Sequence, residues 1–178
     1  MWYPANQLIY RYLDTSGHDT GLKNANGDYS STPTDFYIQA DVPLAINRML
    51  ISIEDEKGMS PEEYGDLGSP LAKGIFVRVT DAEDNVLCDL TDADPIKSNA
   101  HWGRHCYDVD VKNWGNTPTD ELLVARWTFA HSGNPVWLSP GEKLKVVIRD
   151  DLTGLVNHYF QVQGYRVSKW DPRALAMP

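Results

Sequence analysis

The chain has 178 residues, with 16 Lys plus Arg against 25 Asp plus Glu and a formal charge of −9. That length suits one domain and buries enough surface to make a core without disulfide or metal. The acidic balance and the lack of any basic run oppose non-specific binding to nucleic acid or anionic membrane, and no apolar run approaches the roughly 18–20 residues that span a bilayer.

From the N-terminus, Met1-Trp2-Tyr3-Pro4 lacks the charged start and apolar stretch of a secretory signal. Gln7 to Leu13 predicts a first strand. Asp14 to Thr34 is rich in Ser, Thr, Gly, Asn and Asp; it is too polar to pack and long for a loop, and reads as an exposed arm or binding loop. Asp35 to Val42 predicts a second strand, broken or kinked at Pro43, and Ala45 to Ile53 a third. On the third, Met49, Ile51 and Ile53 share one face and Arg48 and Ser52 the other, the alternation of a sheet with one wet face.

Glu54 to Lys73 is a second excursion, punctuated by Gly58, Pro61, Gly65, Gly68 and Pro70. Its best helical turn is Met59 to Tyr64, where Ser60 can cap and Glu63 lies three residues on. Ile75, Val77 and Val79 then alternate with Arg78 and Thr80, the turn Asp81 to Asn85 follows, and Val86 to Leu90 returns as a hairpin partner. Further alternations are Tyr107, Val109 and Val111 against Asp108 and Asp110, and Leu123, Ala125, Trp127 and Phe129 against Val124, Arg126 and Thr128. Leu144, Val146 and Ile148 alternate with Lys143, Lys145 and Arg149, and His158 to Val167 closes the domain with Phe160 and Val162 inward. The tail from Lys169 reads as an arm.

About eight or nine strands without crossover helices predict an all-β fold. Two antiparallel sheets packed as a sandwich, in jelly-roll or related Greek-key order, fit the long connections. The expected organisation is an N-terminal strand and polar arm over 1–34, a β-sandwich over 35–167 and a tail over 168–178.

Candidate chemistry is sparse. His101 and His105 are four apart, a zinc-binding spacing on a helix, but along an extended chain they lie about 13 Å apart, too far for one metal. Cys106 beside His105 suggests a nucleophile pair, yet adjacent strand residues face opposite ways. No Gly-x-Ser-x-Gly elbow is present. Acidic groups at Asp81, Glu83, Asp84, at Asp89, Asp92, Asp94 and at Asp150-Asp151 suit either calcium-binding loops or ordinary turns, and no EF-hand pattern occurs. Cys88 and Cys106 could bridge if they lie on neighbouring strands, and are otherwise buried thiols in a protein made in a cytoplasm. Trp102 and Trp114 sit in loops and either cap the ends of the sandwich or, as the better surface aromatics, stack on sugar, while Trp127 belongs to an inward row. No catalytic set, metal or cofactor is expected.

The stretches Asp41 to Met49, Pro95 to Val109 (containing Ser98-Asn99-Ala100-His101-Trp102-Gly103-Arg104-His105-Cys106) and Asp150 to Tyr165 resemble small proteins encoded among the virion genes of tailed bacteriophages. The resemblance covers roughly residues 35 to 167. It implies a virion structural protein without enzymatic activity, made in the bacterial cytoplasm and carried on the outer head surface. The expected form is a capsid decoration (cement) protein that binds the major capsid protein and copies of itself, a trimer being one form, with no nucleic-acid or membrane partner. Trp2, Tyr3, Tyr10, Trp102, Arg104, Trp114 and Trp170 are the expected docking residues. A tail fibre, adaptor or receptor-binding module, with recognition on Glu54 to Lys73 and Ser98 to Arg104, is one alternative; a carbohydrate-binding β-sandwich module is another.

Overall fold

The computed structural model describes residues 8–12, 34–55, 58–91, 94–103, 106–113, 121–129, 135–150, 152, 155 and 157–167. Ten strands follow in order: β1 Leu8–Tyr12, β2 Thr34–Gln39, β3 Leu44–Asp55, β4 Ile75–Thr80, β5 Val86–Asp89, β6 Cys106–Asn113, β7 Glu121–Thr128, β8 Val136–Leu138, β9 Lys143–Ile148 and β10 Asn157–Arg166. One sheet runs β1-β10-β3-β7-β6, with the short β8 also on β3; the other runs β2-β9-β4-β5.

The pairing is nested. β1 pairs with β10, β2 with β9, β3 with β7 and β4 with β5, all antiparallel. Such a ribbon rolls up so that successive pairs fall alternately in the two sheets, which is a jelly roll. The sandwich expected from the sequence is present, and the strand order selects the jelly-roll alternative. β6 and β8 extend the first sheet beyond the eight-strand roll. β1, placed with an arm on sequence grounds, is a strand of that sheet.

The alternating rows pack as their periodicity requires. Met49, Ile51, Ile53, Leu123, Ala125, Trp127 and Phe129 line the inner face of the larger sheet and are buried. Ile75, Val77, Leu144, Val146 and Ile148 face them from the smaller sheet. Val109 departs from this pattern: a register shift between Cys106 and Asp108 interrupts β6, and Val109 is 38% exposed although its partner Ala125 is buried. β6 is the outermost strand, beyond the eight strands of the roll, so Val109 lacks full cover.

A second irregularity sits at the centre of the larger sheet. The β10–β3 register runs Gln163↔Arg48 and then Gly164↔Ile46, leaving Asn47 as an extra residue on β3. A Cβ at Gly164 would collide with the Ala45 carbonyl oxygen, so only glycine lets the strands approach there. Bulges of this kind increase twist and re-aim neighbouring side chains.

Candidate functional site

The excursions 58–74 and 94–103 fold as lids over the end of the sandwich where β3 and β9 finish and β4 and β10 begin. The tail-module alternative would put host recognition on Glu54 to Lys73 and Ser98 to Arg104; apolar anchors instead tie much of both segments down. Tyr64 and Ile96 are fully buried and Leu71 nearly so. No helix forms at Met59 to Tyr64, but the capping contact does: the Ser60 backbone N–H donates to Glu63 Oε1 at 2.5 Å.

Two polar side chains sew the lids down. Asn99 donates from Nδ2 to the Ser60 and Gly65 carbonyls, both at 2.8 Å, and accepts the Gly65 N–H at Oδ1, also at 2.8 Å. Asp150, at the end of β9, accepts from three successive backbone N–H groups of Ala72, Lys73 and Gly74, the shortest at 2.7 Å. A buried carboxylate is tolerable here because these donors replace its hydration.

Inside the cap lies an aromatic cluster. The Tyr64 hydroxyl and His158 Nε2 are 2.7 Å apart, and His158 packs against Phe160 in a tilted arrangement at 4.5 Å between ring centroids. The His158 ring is 1% exposed and Nδ1 has no hydrogen-bond partner among the described residues. Burial pushes its pKa down to about 3, so the imidazole is neutral. Trp102 packs against Tyr64 at 5.8 Å and donates its indole N–H to the Asn99 carbonyl at 2.7 Å. The cluster is therefore part of the buried cap rather than an open cleft.

The expected surface residues distribute unevenly. Trp102 is 3% exposed with its N–H bonded, which selects the end-capping reading and corrects its assignment as a docking or sugar-stacking aromatic. Tyr10 lies in β1 opposite Gln163. Trp2, Tyr3, Arg104, Trp114 and Trp170 lie outside the described residues. Cys88 and Cys106 occupy different sheets and form no disulfide with each other; Cys88 is exposed rather than buried.

The acidic loops follow the turn reading. Asp81 accepts the Glu83 and Asn85 N–H groups, at 3.0 and 2.8 Å, within its own turn. Asp84, in the left-handed region at φ 68°, pairs with Lys143 at 2.8 Å and Lys145 at 3.3 Å. Its hydrogen bond to Lys143, foremost, holds its pKa below the ordinary carboxylate value. Asp89 binds Arg78 at 2.8 Å, and the exposed pair His101–Asp94 closes at 2.9 Å. Among the described residues no three or more His, Cys, Asp or Glu side chains converge as a metal site.

Two surface features remain. One is a lateral edge. The large apolar side chains left exposed among the described residues are Val86 (52%) and Leu87 (54%) on β5 and Val109 on β6. β5 and β6 are the outermost strands of their sheets, and the nesting of β4–β5 beside β3–β7 puts both on the same side of the roll. The second is a cleft of about 240 Å³ on the outer face of the larger sheet, walled by Arg48, Arg126, Thr128 and Gln163 over Leu50. Sequence alternation marks Arg48 and Gln163 as outward, but only the register makes them neighbours.

No protein-family model and no curated protein matches the sequence. Among solved structures the chain is similar to a CocE/NonD family hydrolase from Staphylococcus aureus, at 10% identity and a TM-score of 0.36. That similarity covers 93% of this chain and 35% of the hydrolase chain, so the present chain spans about a third of that protein's length. A likeness this distant carries no argument about activity. No helix among the described residues is long and apolar enough to cross a membrane.

Proposed function

We propose that this chain is a non-enzymatic virion structural protein, a capsid decoration protein that docks on the outer head surface against the major capsid protein and further copies of itself. The observation that carries this reading is the lateral edge, where Val86, Leu87 and Val109 are exposed on two outermost strands. Unblunted edge strands are what proteins without strand-adding partners avoid, and an edge of this kind adds a strand from a neighbour through main-chain hydrogen bonds. Val86 and Leu87 are consecutive, so both faces of β5 offer apolar contact. Each contact is small, and repetition over a shell supplies the stability through multivalency. The resemblance of residues 35 to 167 to phage virion proteins supplies the setting.

Co-sedimentation of the purified chain with expanded empty heads tests the reading. The expected result is binding spread over the whole head, abolished in the V86K/L87K double variant. Failure to bind heads, or binding that the double variant retains, overturns it. Labelling confined to the tail overturns decoration in favour of the fibre or adaptor alternative.

A further inference from the structure

The cleft on the outer face of the larger sheet differs in chemistry from the rest of this acidic molecule. Three adjacent strands place Gln163, Arg48 and Thr128 in one row. The next row holds Gln161, Leu50 and Arg126. Arg48 and Arg126 are diagonal neighbours on adjacent strands, about 7–8 Å apart at the backbone, within the reach of two long side chains converging on one group. Arg48 is exposed and has no ionic partner among the described residues. β6 places Asp108 opposite Arg126, so Arg48 is the guanidinium on which the assignment rests. Met49 and Trp127 also line the cleft, but their side chains are fully buried and they contribute backbone. Among the described residues no acidic one lines it, in a chain of net charge −9.

On the far side of the bulge, the register sets Tyr165, Ala45 and Trp137 side by side. Tyr165 and Trp137 are half-buried and Ala45 between them is fully buried. The face therefore combines guanidinium, amide and hydroxyl groups, an apolar floor at Leu50 and two flanking aromatics. Guanidinium pairs a carboxylate through two parallel hydrogen bonds. Amides and hydroxyls suit a polyol, and aromatic rings suit the C–H face of a sugar. The cleft is smaller than the roughly 300–1,000 Å³ of pockets for drug-sized ligands, so it holds one ring of a longer chain.

We infer that the outer face of the β10–β3–β7 sheet is a binding site for a carboxylated oligosaccharide, with Arg48 on the carboxylate, Gln163 and Thr128 on hydroxyls, and Tyr165 and Trp137 flanking the next ring. This site is separate from the β5–β6 edge and does not depend on the assembly reading.

Titration calorimetry of the full chain with oligogalacturonate, oligoalginate and sialyl-lactose tests the assignment. Methyl-esterified oligogalacturonate and poly-glutamate serve as comparisons. At least one carboxylated glycan is expected to bind, with affinity falling as salt rises. Esterification and R48M are each expected to weaken binding about tenfold or more, the size of one charge-assisted hydrogen bond. The V86K/L87K variant, which disables the proposed assembly edge, is expected to bind the glycan normally. Binding that survives R48M, equal binding of poly-glutamate, or no binding of any of the three glycans overturns the assignment.

Discussion

Acid should loosen this protein through one buried ring. His158 is held neutral with a pKa of about 3, whereas an imidazole in the unfolded chain titrates near 6.5. The folded value is the lower one, so below pH 6.5 the unfolded chain binds a proton that the folded chain refuses. Stability is fully present above that pH and falls as pH drops, levelling off only below about 3. Full titration contributes about 1.4 kcal/mol per pH unit, which between pH 7 and pH 5 amounts to about 2 kcal/mol. Against a domain stability of about 5–15 kcal/mol that loss is readily measured by urea denaturation. Replacing both members of the 2.7 Å pair, in Y64F/H158F, removes the titrating group and its hydrogen-bond partner together. Swapping both partners for apolar groups of similar shape is close to neutral at pH 7, so the double variant should match the parent there and lack its loss at pH 5. Carboxylates titrate mainly below this window and leave the comparison clean. Equal losses in parent and double variant would refute the reasoning.

Other perturbations follow from the same geometry. Asp150→Asn should cost about 3 kcal/mol in urea denaturation, because an amide N–H₂ then faces the N–H groups of residues 72–74. Gly164→Ala should cost about 2 kcal/mol or more and lower Tm, since the added Cβ meets the Ala45 carbonyl oxygen. Trp102→Ala should cost about 3–5 kcal/mol by opening a cavity beside Tyr64, where an exposed platform tryptophan would cost almost nothing. Ellman's reagent should titrate the exposed Cys88 in the folded protein ahead of the half-buried Cys106.

The alternation in β3, β7 and β9 was legible because every second residue is apolar and a strand repeats every second residue. Inward faces and fold class followed, but the wet face expected on β9 did not, since Lys145 and Val147 are buried as well. Strand order did not, because it depends on pairings such as Leu8 with Tyr165 that leave no local trace. The docking of the lids was less legible, because it rests on single anchors rather than on a periodic pattern. Tyr64 and Leu71 are isolated apolar residues in a polar stretch, and that isolation was itself the signal of a loop tied down. His158 and Tyr64 are 94 positions apart, beyond any spacing rule. The exposed edge had a readable mark: Val86 and Leu87 are consecutive, and two adjacent apolar residues in a strand cannot both face one core. The cleft had none, since Gln163, Arg48 and Thr128 meet only through the register.

The position of β10 bears on how the molecule is made. This strand lies between β1 and β3, so the larger sheet stays in two pieces until residues 157–166 are available. During synthesis the β4–β5 and β6–β7 hairpins can form early, while β1 waits without its partner and one flank of β3 stays open. Met49, Ile51 and Ile53 would then be exposed on a nascent chain, the circumstance in which strands pair with the wrong molecule. Closure by so distant a strand makes folding slow relative to a fold of local contacts. Yield of native protein should therefore depend on the interval between emergence of β3 and release of β10, and slower synthesis at low temperature or a holding chaperone should favour it.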